Sequence, residues 1–131
     1  MSEKNKPSAR YEQGMATRRE VLGDDYVNAR VSGTNTFNEP FQHLITEAAW
    51  GHVWSRENWS KRERSMVTIA LLAALGHYDE MVMHIKATPN TGATEDDIRE
   101  ALLHVAIYAG VPAANHAIKL ASEALKSMKE A

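Results

Sequence analysis

His77, Glu80 and His84 stand at positions i, i+3 and i+7, so a helix through them carries all three on one stripe. Imidazole and carboxylate groups ligate metals, and they also move protons near neutral pH. Reach argues against a shared ion. At about 1.5 Å rise per residue, His77 and His84 lie about 10.5 Å apart along the axis, and Glu80 with His84 would need a third ligand from elsewhere. Acid–base chemistry asks only for a part-buried histidine beside a carboxylate. A solvated polar helix face explains the same spacing without chemistry.

A second group is Glu47, Trp50, Gly51, Trp54 and Arg56. Trp50 and Trp54 share a helix face, which is first a packing or subunit-contact pattern. Glu47, one turn earlier, is either a surface residue or an acid in an aromatic-walled pocket, where desolvation would raise its pKa. Lys61, Arg62 and Arg64 cluster at a helix start; they are exposed charge or a place for a carboxylate. Asn115 and His116 follow the Gly110-Val111-Pro112 turn and could contact a ligand or only solvent.

These residues need helices to position them, and helices are what the pattern predicts. Tyr11, Met15, Arg18 and Leu22 recur at helical spacing before Gly23. Asp24-Asp25 opens a second helix, and residues 33–38 read as a loop. Pro40 starts a helix whose apolar face is Phe41, Leu44, Ile45, Ala48, Ala49 and Val53, ending near Arg56. Ser60 and Glu63 form a capping box for a helix over 61–75. That helix is apolar almost all round after Ser65, which predicts a central position. Gly76 separates it from a helix over about 77–88, broken by Pro89, Asn90 and Gly92. Thr94 starts a helix with Ile98, Ala101, Leu102, Val105 and Tyr108 on one face, and a last helix runs from Pro112 towards Met128. The fold class is all-α, with about seven helices around a central apolar helical hairpin. Residues 1–10 are expected to be a flexible polar segment and residues 11–131 a single domain.

Composition narrows the function. The 131 residues contain no cysteine, which excludes disulfides, thiolate nucleophiles, zinc fingers and iron–sulfur ligation. A formal charge of −2 gives a nucleic-acid partner no electrostatic support. The first ten residues lack an apolar signal core, and the longest apolar stretch, 66–75, is too short to span a bilayer. A cytoplasmic protein that touches neither nucleic acid nor membrane is expected.

Long blocks of the sequence resemble the 4-carboxymuconolactone decarboxylase family in order: GMATRREVLGDDYVNAR (14–30), FQHLITEAAWGHVWSR (41–56), RERSMVTIALLAALG (62–76), EMVMHIKA (80–87) and GATEDDIREALLHVAIYAGVPAANHA (92–117). The resemblance covers about residues 11–126. It implies an alkylhydroperoxidase-like helical fold and a homo-oligomer, typically a hexamer. The implied reaction is cofactor-independent loss of CO2 from 4-carboxymuconolactone, a dicarboxylate lactone, giving β-ketoadipate enol-lactone in protocatechuate breakdown. The peroxidase branch of this fold uses CxxC with a histidine four residues on. Here those cysteine positions hold His77 and Glu80, so no thiol can be oxidised, while the histidine is kept as His84. In the decarboxylase branch arginine is more usual at the position of His77.

Such a reaction needs a retained carboxylate anchored, a developing oxyanion stabilised and one proton supplied. The resemblance makes His84 the proton donor or oxyanion partner, with Glu47 or Glu80 tuning it or acting as the acid. Arg64 is the first choice for a carboxylate anchor, and His77 is a second substrate contact. Trp50 and Tyr108 would wall the pocket, and Asn115 would donate a hydrogen bond. No metal is expected.

Overall fold

The computed structural model describes residues 7–131, and these form helices and connections without a strand. Eight α-helices and one π-helical segment occur among the described residues: α1 (Ala9–Leu22), α2 (Asp24–Ser32), α3 (Glu39–Ile45), the π segment (Thr46–Trp54), α4 (Lys61–Leu75), α5 (Tyr78–Lys86), α6 (Thr88–Thr91), α7 (Glu95–Tyr108) and α8 (Val111–Glu130). No helix among the described residues is long and apolar enough to cross a membrane. The chain divides into two compact units, Met1–Asn58 and Trp59–Ala131. Of the polar stretch 1–10, residues 1–6 lie outside the described residues, and Ala9 and Arg10 already belong to α1.

In the N-terminal unit α1 packs along the π segment. Ser8 caps α1: its hydroxyl accepts from the Tyr11 N–H at 3.0 Å and donates to Glu47 Oε2 at 2.6 Å. Gly14 and Gly51 are both buried where the two backbones meet. A Cβ on Gly14 would lie 2.0 Å from the Thr46 carbonyl oxygen, and one on Gly51 would lie 2.7 Å from that of Arg10. Only hydrogen fits at either place. The buried side of α1 is Gly14, Thr17, Arg18 and Val21, a turn's edge away from the stripe Tyr11, Met15, Arg18, Leu22 that spacing suggests.

The apolar face expected from Phe41 to Val53 does not form. Phe41, Leu44 and Val53 are exposed, and the buried positions are Thr46, Trp50, Gly51 and Trp54. From Thr46 onward the cause is the π segment, whose i→i+5 bonds rotate later side chains away from a 3.6-residue register. Trp50 and Trp54 pack at 5.0 Å between ring centroids and share a small core with Val21.

The C-terminal unit is built on the hairpin α4–α5, with α7 packed on α4 and α8 packed on α5 and α7. Its core joins Ile69 and Ala73 of α4, Met81 and Ile85 of α5, Ile98, Leu102 and Val105 of α7, and Ala114, Ala117, Ala121 and Ala124 of α8. The capping box predicted for α4 is present: Ser60 accepts from the Glu63 N–H, and Glu63 accepts from the Ser60 N–H. Gly76 closes α4 in the left-handed conformation at φ 78°. The helix expected to break at Pro89 ends at Lys86, and Pro89 stands at the start of the one-turn α6, where a proline's missing N–H costs nothing. Helix α4 is central to this unit, packed against α5, α6, α7 and α8, yet it is not buried all round. Helix α4 buries only Ser65, Ile69 and Ala73, while Leu71 and Leu75 are 56% and 67% exposed. Its apolar girth exceeds what this chain covers.

Thr94, predicted as a helix start, forms a capping box with Asp97, and Asp97 does more than cap. Its carboxylate takes both Arg62 Nε and Nη2 at 2.7 Å, clamping the start of α4 to the start of α7. The Arg62 guanidinium, helped by the Thr94 N–H, holds the Asp97 carboxyl well below the usual carboxylate range.

The Gly14 crossing gives the first prediction. Gly14→Ala should destabilise the protein by about 3 kcal/mol or more, at or beyond the top of the usual overpacking range, because the obstacle is backbone. Urea unfolding followed by tryptophan fluorescence measures it; an unchanged midpoint would refute the close contact.

Candidate active site

Helix α5 is the most amphipathic short element of the C-terminal unit, with Met81, His84 and Ile85 turned into the core and Glu80 exposed. His84 is 8% exposed. Burial pushes its imidazole down to about 4, against a smaller upward pull from the Glu80 carboxylate one turn away. At neutral pH His84 is therefore a neutral imidazole, with one N–H to donate and one nitrogen to accept. In that state His84 can polarise an oxygen by a hydrogen bond.

The other expected residues scatter. His77 lies at the N-cap position of α5, exposed, and makes no side-chain capping bond. Arg64 is half-buried in α4, its guanidinium 5.8 Å from the Trp59 ring centroid, a cation–π contact with a residue that spacing alone does not single out. Tyr108 is 79% exposed at the end of α7 and stacks on His104 at 4.8 Å. Asn115 is exposed on the second turn of α8 and not in a loop. Its neighbour His116 meets the Tyr78 ring edge-on at 4.5 Å.

Glu47 and Trp50 belong to the N-terminal unit and do not form an acid in an aromatic pocket. Glu47 is occupied by Ser8 and lies 4.0 Å from His43 Nε2, and Trp50 is 6% exposed in the tryptophan core. Among the described residues no three His, Asp or Glu side chains are grouped to hold a metal ion.

Arg18, read in the sequence only as one member of a helical stripe, is a buried cation in the structure. It is 4% exposed, with Nη1 donating to Thr46 Oγ1 and Nη2 to Gln42 Oε1, both at 3.3 Å. It borders a cavity of about 280 Å³. The signal was present: a charged residue on an otherwise apolar helix stripe.

With this geometry in place, comparison with known proteins is decisive. The family model for the carboxymuconolactone decarboxylase family matches residues 39–123. The chain belongs to the carboxymuconolactone decarboxylase family. Within that family it is similar to a 4-carboxymuconolactone decarboxylase of Acinetobacter baylyi, 47% identical over 119 residues, which cover 91% of this chain and 89% of the relative. It is also similar to the nitrosuccinic acid decarboxylase npaB of Metarhizium robertsii, 36% identical over 90% of this chain and 82% of the relative. A 4-carboxymuconolactone decarboxylase sequence of Pseudomonas putida is 48% identical over 42 residues, 32% of this chain.

Burial of His84 has a sign that can be measured. Its folded pKa lies below its unfolded value of 6.5, so between pH 6.5 and 4 the unfolded chain binds the extra proton. The stability this group supports is intact above pH 6.5 and is lost as pH falls, by about 3 kcal/mol at pH 4. His84→Gln should flatten that part of the stability curve in denaturant titrations at stepped pH. An unaltered pH slope would mean His84 is not held neutral.

Proposed function

We propose that this chain is a carboxy-lyase that converts 4-carboxymuconolactone to β-ketoadipate enol-lactone and CO2 without a cofactor. The observation that carries the reading is the 47% identity to a relative named for that activity, sustained over 91% of the chain.

The substrate contains its own electron sink. The departing carboxylate sits on the γ-carbon of an α,β-unsaturated lactone. As its C–C bond breaks, the electron pair moves through the ring double bond onto the carbonyl oxygen, giving a dienolate. One proton, drawn from a water molecule, then adds at the α-carbon and restores the carbonyl, leaving hydroxide that solvent neutralises. The protein's share is to stabilise the oxygen as it gains charge and to hold the retained carboxymethyl group. The neutral imidazole of His84 suits the developing oxyanion. A buried donor in a low-dielectric site is worth far more than one in water, and it needs no reorganisation. Glu80 sets the field at His84 from the exposed side of α5. Arg64, steadied by Trp59, supplies a guanidinium for the carboxymethyl group. The reacting carboxylate should stay out of a strong ion pair, which would stabilise the ground state. Glu47 and Trp50 act on the fold of the N-terminal unit.

A second reading is a decarboxylase of a different acid, favoured by the 36% identity to a relative named for nitrosuccinic acid. A homo-oligomer, most simply a hexamer, and a cytoplasmic setting belong to the first reading. Self-association is supported by exposed apolar side chains on α4, α7 and the start of α8: Leu71, Leu75, Leu103, Ile107 and Val111, all at least 49% exposed.

The test is direct. Lactone generated in situ should disappear with release of CO2 when the protein is added, in the presence of a chelator. His84→Ala should lower kcat by about a hundredfold or more. With the neutral imidazole as the working form, kcat should hold from pH 8 to about 5 and fall only as pH approaches 4. Loss of activity above pH 6.5 would instead make the imidazolium the acid. No turnover of this lactone by folded protein would turn attention to the second reading. Sedimentation should show an assembly that Leu75→Glu with Ile107→Glu weakens; a monomer at micromolar concentration would remove the oligomer from the proposal.

A further inference from the structure

The cavity beside Arg18 was given no role in the reaction described above, yet its chemistry is specific. A guanidinium cannot shed its charge to escape burial as an imidazole can. Arg18 is 4% exposed, and its Nε is buried with no hydrogen-bond partner among the described residues. Its two other bonds go to neutral oxygens at 3.3 Å, long for a charged donor. Among the described residues it forms no ion pair with a carboxylate. The neighbouring ionic charges it feels, Arg30 and Arg19, are of its own sign. Burial of such a group without a counter-ion is costly, and the cost falls when an anion arrives.

The space for that anion is built. The cavity of about 280 Å³ is bordered by Arg18, Gln42 and Thr46 and by the rings of Tyr11 and His43, which stack at 4.8 Å and 19°. It is smaller than the 300–1,000 Å³ or so typical of pockets for drug-sized ligands. Val31 reaches it from α2 and is 44% exposed. Glu39 also lines it, but this residue is solvent-exposed, where its charge is screened.

We propose that the Arg18 cavity is a binding site for a small carboxylic acid, with the Arg18 guanidinium as its counter-ion. One buried cation flanked by an amide and a hydroxyl matches a single carboxylate: two oxygens accept from the guanidinium edge, and the remaining chain or ring lies against Tyr11 and His43. A phosphate dianion would leave charge unmatched. The inference stands apart from the decarboxylation reading, because it rests on Arg18 and the cavity alone.

Adipate and its neutral counterpart adipamide separate charge from shape in isothermal titration calorimetry. Wild-type protein should bind adipate saturably and adipamide at least about tenfold more weakly. Arg18→Gln should lose at least about tenfold in adipate affinity. Because a buried arginine also supports packing, Val31→Trp provides the independent arm: it keeps Arg18, fills the cavity from a half-exposed position, and should abolish binding with native circular dichroism. Three results would overturn the site: no adipate heat with wild type, equal binding by folded variants, or tighter binding of inorganic phosphate than of adipate. Once binding is established, lactone kinetics of Val31→Trp identify the source of the acid. A raised KM at unchanged kcat makes it the substrate's retained carboxylate, and unchanged kinetics make it a separate small acid. Absence of lactone turnover would leave the adipate titration intact, so failure of the reaction and failure of the site are told apart.

Discussion

The contact of Gly14 with the carbonyl of Thr46 governs the N-terminal unit. Two helical backbones cannot approach this closely past any side chain, so both crossing positions are glycine. One turn beyond Gly14 on the same face stands Arg18, and the crossing drives its guanidinium against Thr46 and Gln42. The same approach lets Ser8 reach Glu47 and lets Tyr11 stack on His43. The π segment belongs to this arrangement. Its extra residue per turn carries Gly51 to the crossing and Trp50 and Trp54 into one small core.

Among the described residues each unit buries one basic side chain, Arg18 and His84, and the two respond in opposite ways. His84 yields its proton, because an imidazole can become neutral at a cost of only a few pK units. Arg18 has no such exit and must be compensated by dipoles or by an anion. The contrast decides what each can do. A neutral buried donor stabilises a charge that appears during a reaction, whereas a buried permanent cation holds a charge that a ligand already carries.

Local rules were legible in the sequence at two helix starts. Ser60 with Glu63 and Thr94 with Asp97 announce α4 and α7, and both boxes are present. Periodicity failed from Thr46 to Trp54, because a 3.6-residue template cannot register a π turn. Apolar residues all round α4 did mark it as the helix the C-terminal unit packs on, but not which of its leucines stay exposed. Of the stripe His77, Glu80, His84, only Glu80 and His84 lie within α5, with His77 at its N-cap, and which member is buried depends on where α5 meets α4 and α8. Long-range pairing was equally silent: no local pattern joins Arg62 to Asp97 across 35 residues. Arg18 could have been found by asking why a charge interrupts an apolar stripe.

Helix α8 presents a face of a different kind. Its buried positions are Ala114, Ala117, Ala121 and Ala124, a row of single methyl groups along a 20-residue helix. Methyl groups have no rotamers to freeze, so docking this helix costs little side-chain entropy. They also leave no spare volume, since any larger residue must push the helix off its neighbours. The inner row therefore has very little room for drift, while Lys119, Ser122, Glu123 and Lys126 on the outer face can vary freely. Among descendants of this sequence, α8 should be recognised less by which residues it keeps than by which sizes it forbids.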